Sequence, residues 1–328
     1  MRALVLDADG RLRLDPDHPE PRLGEGEALV HVGRAGVCAT DLELVRGYAG
    51  FVGVLGHEFV GRVDPADPVC PGQRVVADIN LGCGRCPTCL STGGHHCPER
   101  TTLGIRARSG VFAERVAIPR TNLVAVPDEV PDDVAVFAEP VAAAAHVLDE
   151  LGPEPDAGGV TVLGDGKLGI LTALALAAAG RSVELVGRHP AKLALARACA
   201  TTPTAGRLTT LLEPELGPGP RARVVVDATG SPLGLSRALA LVEPRGTVVL
   251  KTTTASPTTV DLTPIVVHEL RVVGSRCGDL ARAIDLLCSG QVDPRPLIAA
   301  RYPLRAGVEA VDHAGRRGTL KVVLEVSG

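Results

Sequence analysis

The chain has no tryptophan, one methionine, two tyrosines and four phenylalanines, so aromatic residues make up 2% of its 328 positions. That scarcity removes the rows of stacking rings on which single-stranded nucleic acid is bound. Lysine is scarce too, at four of the 34 Lys and Arg residues, and the arginines are scattered. With a formal net charge of −4 and no basic stretch that would track a phosphate backbone, nucleic acid is not the expected partner. No run of uncharged apolar residues approaches the ~18 that a spanning helix needs, so no membrane span is expected. The start, Met1-Arg2-Ala3-Leu4-Val5-Leu6-Asp7, lacks the basic, apolar and small-residue order of an export signal. A cytoplasmic protein is therefore expected, whose nine cysteines serve as metal ligands and free thiols rather than disulfides.

What is present begins with an ordinary globular composition, 45% hydrophobic and 22% charged, on a chain too long for one core. Residues 1–140 read as β-rich. Ala28-Leu29-Val30-His31-Val32, Phe59-Val60-Gly61-Arg62-Val63 and Arg74-Val75-Val76-Ala77 are short β-branched runs broken by Gly, Pro and Asp, at barrel-like or sandwich-like spacing. Asp41 to Arg46 predicts a short helix that stops at Gly47. Within this region Cys38 precedes Gly56-His57-Glu58 by nineteen residues at the histidine. Thiolate, imidazole and carboxylate are the usual ligands of zinc, and three protein ligands leave one position open for substrate.

A second set, Cys83, Cys86, Cys89 and Cys97, falls on a Gly- and Pro-rich stretch within a lobe spanning residues 80–100. Four thiols at this density suit a closed tetrahedral zinc site that replaces a core in a lobe too small to have one. The neighbouring His95 and His96 are read as loop residues, since four thiolates already satisfy the metal.

From residue 141 to 295 the pattern changes to alternating strands and helices. Val160-Thr161-Val162-Leu163 runs into Gly164-Asp165-Gly166-Lys167-Leu168-Gly169, followed by an Ala/Leu-rich helix from Ile170 to Ala179 closed by Gly180. A glycine loop between strand and helix permits close approach of a pyrophosphate to the helix N-terminus, so Gly164, Gly166, Lys167, Leu168 and Gly169 are candidate cofactor residues. Further strands are expected at Val183 to Val186, Ala222 to Asp227, Thr247 to Leu250 and Leu270 to Val273, giving an α/β, doubly wound parallel sheet. After residue 296 one more strand-like run, Thr319 to Val326, is expected to return to the first domain.

Several of these pieces occur together in one order: Gly36-Val37-Cys38-Ala39-Thr40-Asp41, Gly56-His57-Glu58, the four-cysteine lobe, Glu139-Pro140, the glycine loop, Asp227-Ala228-Thr229-Gly230 and the closing strand at Lys321. In this the chain resembles, over nearly its whole length, the zinc-dependent medium-chain alcohol dehydrogenases, in particular the polyol, sugar and threonine dehydrogenase branch. The resemblance implies a GroES-like catalytic domain, a Rossmann domain and a homodimer or homotetramer. It implies two zinc ions per chain, a nicotinamide cofactor contacted also by Thr229, Gly230 and Lys321, and an alcohol, polyol or sugar substrate. Cys38 and His57 match catalytic zinc ligands and Glu139 falls at the third ligand position, with Glu58 either a fourth ligand, a group that swings in when water or substrate leaves, or itself the third ligand in place of Glu139. Asp41 matches a carboxylate that orients His57, and Thr40 a hydroxyl that bonds the substrate oxygen. Where some members carry a relay histidine this chain has Glu43, leaving proton exit to Glu43 or to water. The resemblance then implies that zinc lowers the pKa of the substrate hydroxyl and that hydride passes to the nicotinamide. A non-catalytic, zinc-stabilised dinucleotide sensor or scaffold is the alternative function.

Two finer expectations concern binding. The few large side chains between Gly47 and Val54, with Phe112, are candidates for the pocket wall. At the end of the second Rossmann strand, where an NAD-selective domain places Asp or Glu, the chain reads Gly187-Arg188-His189. The missing carboxylate, the guanidinium of Arg188 and the nearby His189 and Lys192 favour NADP over NAD.

Overall fold

The computed structural model describes residues 1–152, 159–201, 207–253 and 257–327. The chain divides into two compact units, Met1–Glu139 with Ile298–Gly328, and Pro140–Leu297. Among the described residues no helix is long and apolar enough to cross a membrane.

The first unit is built on β3 (Glu27–Gly36), which pairs with β5 (Glu58–Val63), β9 (Arg115–Pro119) and β18 (Lys321–Glu325). The sheet runs β10 (Leu123–Ala125), β6 (Arg74–Ala77), β5, β3, β18, β17 (Ile298–Pro303), and a smaller sheet orders β2 (Leu12–Asp15), β1 (Ala3–Leu6) and β4 (Gly53–Val54). Along β3 the buried residues alternate through Ala28, Val30 and Val32, then resume at Ala35. The change of phase falls at Gly33, where the register against β5 shifts between Val32 and Arg34 as in a bulge. The bulge sets Gly36 opposite Glu58 on β5 and opposite Val323 on β18. The returning C-terminal strand is thus part of this unit, and it carries Lys321 to the same place. The core consists mainly of Val, Leu and Ala around three buried phenylalanines, Phe59, Phe112 and Phe137.

Phe112 corrects an expectation. It does not line a pocket: it is wholly buried, and a side chain on Gly56 would collide with its ring. Gly56, at φ +93°, therefore serves both a left-handed turn and a close approach, which fixes the backbone just before His57. Tyr48 and Val52, in the same proposed wall, are more than half exposed.

The second unit holds a six-stranded, all-parallel sheet in the order β13 (Leu208–Leu212), β12 (Val183–Gly187), β11 (Val160–Leu163), β14 (Ala222–Asp227), β15 (Val242–Leu250), β16 (Arg271–Gly274). This is the doubly wound order in which β11 and β14 flank the switch point where dinucleotides bind. Between β11 and the glycine loop's helix, α6 (Lys167–Ala178), the chain turns through Gly164 at φ +113°. A side chain at Gly164 would meet Ala228, and one at Gly169 would meet the Gly164 carbonyl. Helix α6 starts three residues before the expected Ile170, capped by Gly166, and is buried along nearly all of its length. Strand β13 is absent from the sequence reading because only Leu208 of it is buried, leaving a weak period-two signal at the sheet's edge.

Candidate active site and metal centres

Cys83, Cys86, Cys89 and Cys97 lie with their sulfurs within 4.8 Å of one another. Cys86 caps α2 (Pro87–Thr92), and its sulfur accepts from the Cys89 amide at 3.4 Å, while the Cys97 sulfur accepts from the Cys83 amide at 3.4 Å. Sulfur separations of 4.0 Å for Cys83 to Cys89 and 3.8 Å for Cys86 to Cys97 match the edge of a tetrahedron with Zn–S bonds of ~2.3 Å, about 3.8 Å. The four thiols are unequal: the backbone amides of Arg85 and Cys86 hold the Cys83 thiol down to about 6, while burial and the adjoining sulfurs push the Cys89 thiol up to about 12. The donor set fits a closed zinc site. His95, read as a loop residue, bonds Asp78 at 2.6 Å.

In the first unit's sheet, Cys38, His57 and Glu58 form a second group within 4.8 Å of one another. Cys38 is the N-cap of α1 (Ala39–Val45), and Asp41, at the third helical position, accepts from the Cys38 amide at 2.8 Å. The other Asp41 oxygen stands 3.3 Å from His57 Nδ1, an ionic approach rather than an aligned hydrogen bond. Burial pulls the His57 imidazolium down, but the Asp41 carboxylate and the Cys38 thiol outweigh it and hold the pKa well above the usual histidine value. With one ring nitrogen facing Asp41, the other can take a metal that displaces its proton, and the thiolate, imidazole and carboxylate set fits zinc. Thr40 Oγ1 lies 3.9 Å from Cys38 Sγ. Glu43, one turn after Thr40 on α1, is paired with Arg46 at 2.5 Å.

Glu139 is half-buried in the first turn of α4 (Ala138–Ala145) and is not one of the three clustered groups. Glu58 has a second partner that sequence reasoning missed. Its Oε2 accepts from Lys321 Nζ, and both side chains are 0% exposed. The pair crosses β3 diagonally at Gly36, where a Cβ would stand 2.5 Å from the Glu58 oxygen and 3.0 Å from the lysine nitrogen. Lys321, read by resemblance as a cofactor residue, thus lies buried against Glu58, with its ammonium also 5.2 Å from the Phe137 ring centre.

In the second unit the loop residues Gly164, Gly166, Lys167, Leu168 and Gly169 surround the N-terminus of α6 at the sheet's switch point. After β14, the Thr229 hydroxyl donates to Asp227 at 2.8 Å and the Gly230 amide donates to Thr252 at 3.1 Å, shaping the facing turn. At the end of β12, Arg188 is exposed with its Nε 3.6 Å from Glu213, and His189 and Lys192 are half-buried at the head of α7 (Pro190–Cys199). The sequence counts no carboxylate here because Gly187 has no side chain, but the fold brings one from the loop. Asp165 Oδ2 accepts from the amides of Arg188 and His189 at 2.8 and 2.7 Å and lies 2.9 Å from His189 Nδ1.

Residues 24–128 match the alcohol dehydrogenase GroES-like domain family and residues 168–288 the zinc-binding dehydrogenase family. An L-threonine 3-dehydrogenase of Chelativorans is 37% identical over 194 residues, covering 55% of this chain and 54% of that protein, so this match spans about half the relative's length. One from Streptomyces coelicolor is 31% identical over 347 aligned residues, 99% of each chain. Among solved structures, a zinc-binding dehydrogenase from Sinorhizobium meliloti bound to NADP superposes with a TM-score of 0.85 at 29% identity over 99% of both chains. A dehydrogenase from E. coli CFT073 complexed with NADH superposes at 0.87 and 25% identity, again over 99% of both. With both domain families matched in order and full-length similarity to a curated relative, the chain belongs to the zinc-dependent medium-chain alcohol dehydrogenase family.

Proposed function

We propose that this chain is a zinc-dependent oxidoreductase that transfers hydride between an alcohol or polyol, or the derived carbonyl, and a nicotinamide cofactor. The observation that carries the reading is the cluster of Cys38, His57 and Glu58, three donors of three kinds brought within 4.8 Å in a chain that also holds a dinucleotide-type sheet. The named activities of relatives, L-threonine 3-dehydrogenase above all, support a small secondary alcohol as substrate.

Cys38 and His57 would hold the catalytic zinc, with Glu139 or Glu58 as the third ligand, and the four-cysteine lobe a second zinc. When bound, the catalytic zinc supplies Lewis acidity toward the substrate oxygen. Asp41 fixes the helix start that carries Cys38 and sets the charge facing His57, so one carboxylate orients two ligands. Thr40, beside the Cys38 sulfur, is placed to take the substrate hydroxyl proton and pass it outward, to Glu43 or to water. Lys321 compensates the buried Glu58 charge and holds that carboxylate in one position.

Arg188, His189 and Lys192 at the end of β12 support NADP(H) over NAD(H) through positive charge toward a 2′-phosphate. Assembly as a homodimer or homotetramer belongs to the same reading. The nine cysteines, none in a disulfide, support a reducing cytoplasm.

A screen of secondary alcohols, polyols and sugars with each cofactor, read as reduced-nicotinamide absorbance, tests the reading; no turnover with any substrate would sink it. Glu139→Ala and Glu58→Ala separate the ligand assignments. The variant with the larger loss of zinc and rate identifies the third ligand.

A further inference from the structure

Asp165 sits inside the glycine loop, yet its carboxylate belongs spatially to the end of β12. Its side chain is 9% exposed. Oδ2 takes the two consecutive amides of Arg188 and His189, at 2.8 and 2.7 Å, and His189 Nδ1 lies 2.9 and 3.1 Å from the two oxygens. Those amides stand at the head of α7, whose first helical residue, Pro190, has no N–H to offer. They are therefore the backbone donors available there to an anion, and the chain's own carboxylate has taken them.

The same geometry gives Gly187 a reason. A Cβ at Gly187 would lie 2.5 Å from Asp165 Cβ and 2.7 Å from its Oδ2. Loop and strand end thus form a coupled pair, in which the strand omits its side chain and the loop fills the space with a carboxylate. In a doubly wound sheet this is the position where an acid accepts from a ribose 2′-hydroxyl and repels a 2′-phosphate. Arg188, by contrast, points its guanidinium outward, 68% exposed and shared with Glu213.

We propose that Asp165 is a selectivity-determining residue of the dinucleotide site. It occupies the backbone donors a 2′-phosphate would use and places a negative charge beside it, holding down the NADP(H) preference that Arg188, His189 and Lys192 provide. The proposal rests on the dehydrogenase reading above. It also implies that an acid is not tolerated at Gly187 unless Asp165 is removed first.

The test measures binding of NADPH and NADH to the intact chain by the fluorescence of the reduced nicotinamide, which no tryptophan of this protein obscures. Asp165→Asn removes the charge and keeps one acceptor oxygen, and Asp165→Ala also frees the amides. Both variants should tighten NADPH by about fivefold or more, the effect of one charge removed several ångströms away in a partly solvated site, with NADH changed by less than about twofold. Competition by 2′-AMP should strengthen in parallel while that by 5′-AMP does not. Unchanged or weakened NADPH binding in variants that melt like the wild type overturns the proposal. So does equal loss of both cofactors, which marks Asp165 as a fastener of the loop. A wild type that binds neither dinucleotide refutes the dehydrogenase reading itself, a result distinct from a wild type that binds both and variants that do not change the ratio.

Discussion

Cys83, Cys86, Cys89 and Cys97 are gathered by one short stretch of chain, around α2 and the short 3-10 helix Gly94–His96, and three of the four are partly open to solvent. Cys38, His57 and Glu58 come instead from a helix cap and a strand start, with the histidine and carboxylate buried. The first cluster has four like donor groups and no charged side chain among them. In the second, Asp41 faces His57 and Lys321 faces Glu58. The difference separates a site that organises its own lobe from a site that the surrounding sheet organises. The local cluster is expected to contribute stability, and the sheet-held one reactivity with an open position.

The largest effect that would break this comparison is on rate. Cys38→Ser or His57→Ala should lower turnover by at least about a thousandfold, the several kcal/mol that a bound metal supplies, with little change in melting temperature. Full activity in Cys38→Ser would remove the second cluster from the chemistry. Next in size is the support beneath it. Lys321→Met leaves Glu58 buried without its cation and should cost about 3–5 kcal/mol of stability, while Lys321→Met with Glu58→Gln should recover most of that. Chemical denaturation decides, and a double variant no better than the single would mean that the lysine acts through packing against Phe137 alone.

The smallest effect lies outside both clusters. Arg120 donates to Asp67 and is the main reason that the Asp67 carboxyl is held well below the usual carboxylate range. A depressed carboxylate stabilises the fold above its unfolded value, ~4, and loses that contribution as pH falls through the folded one. Asp67→Asn should therefore melt a few degrees below wild type at pH 7, and the gap should narrow on acidification below about pH 4. A constant gap would detach the ion pair from stability.

Much of this was legible in the sequence because it was local. The cysteine spacing from Cys83 to Cys97, the glycine loop after Val160–Leu163 and the Gly56-His57-Glu58 run each carry their chemistry within a few residues. What was not legible depends on residues that meet only through strand register. Glu58 and Lys321 are 263 positions apart, and their pairing needs the bulge at Gly33 and the bare Gly36 between them. Asp165 looked like a loop residue, since nothing in its neighbours says that its carboxylate reaches the end of β12 twenty-three residues on. Phe112 failed for the opposite reason: in a chain this poor in aromatics a large ring is an obvious pocket candidate, and the core had claimed it.

Metal analysis tests the central claim most directly. The native chain should hold about two zinc ions, with Cys38→Ser and Cys89→Ser each retaining about one. The one-zinc Cys38→Ser protein should keep its melting temperature and lose turnover, and the one-zinc Cys89→Ser protein should melt roughly 5–10 °C lower. Zinc lost from both sites together, or the same phenotype from both substitutions, would contradict two centres with separate roles.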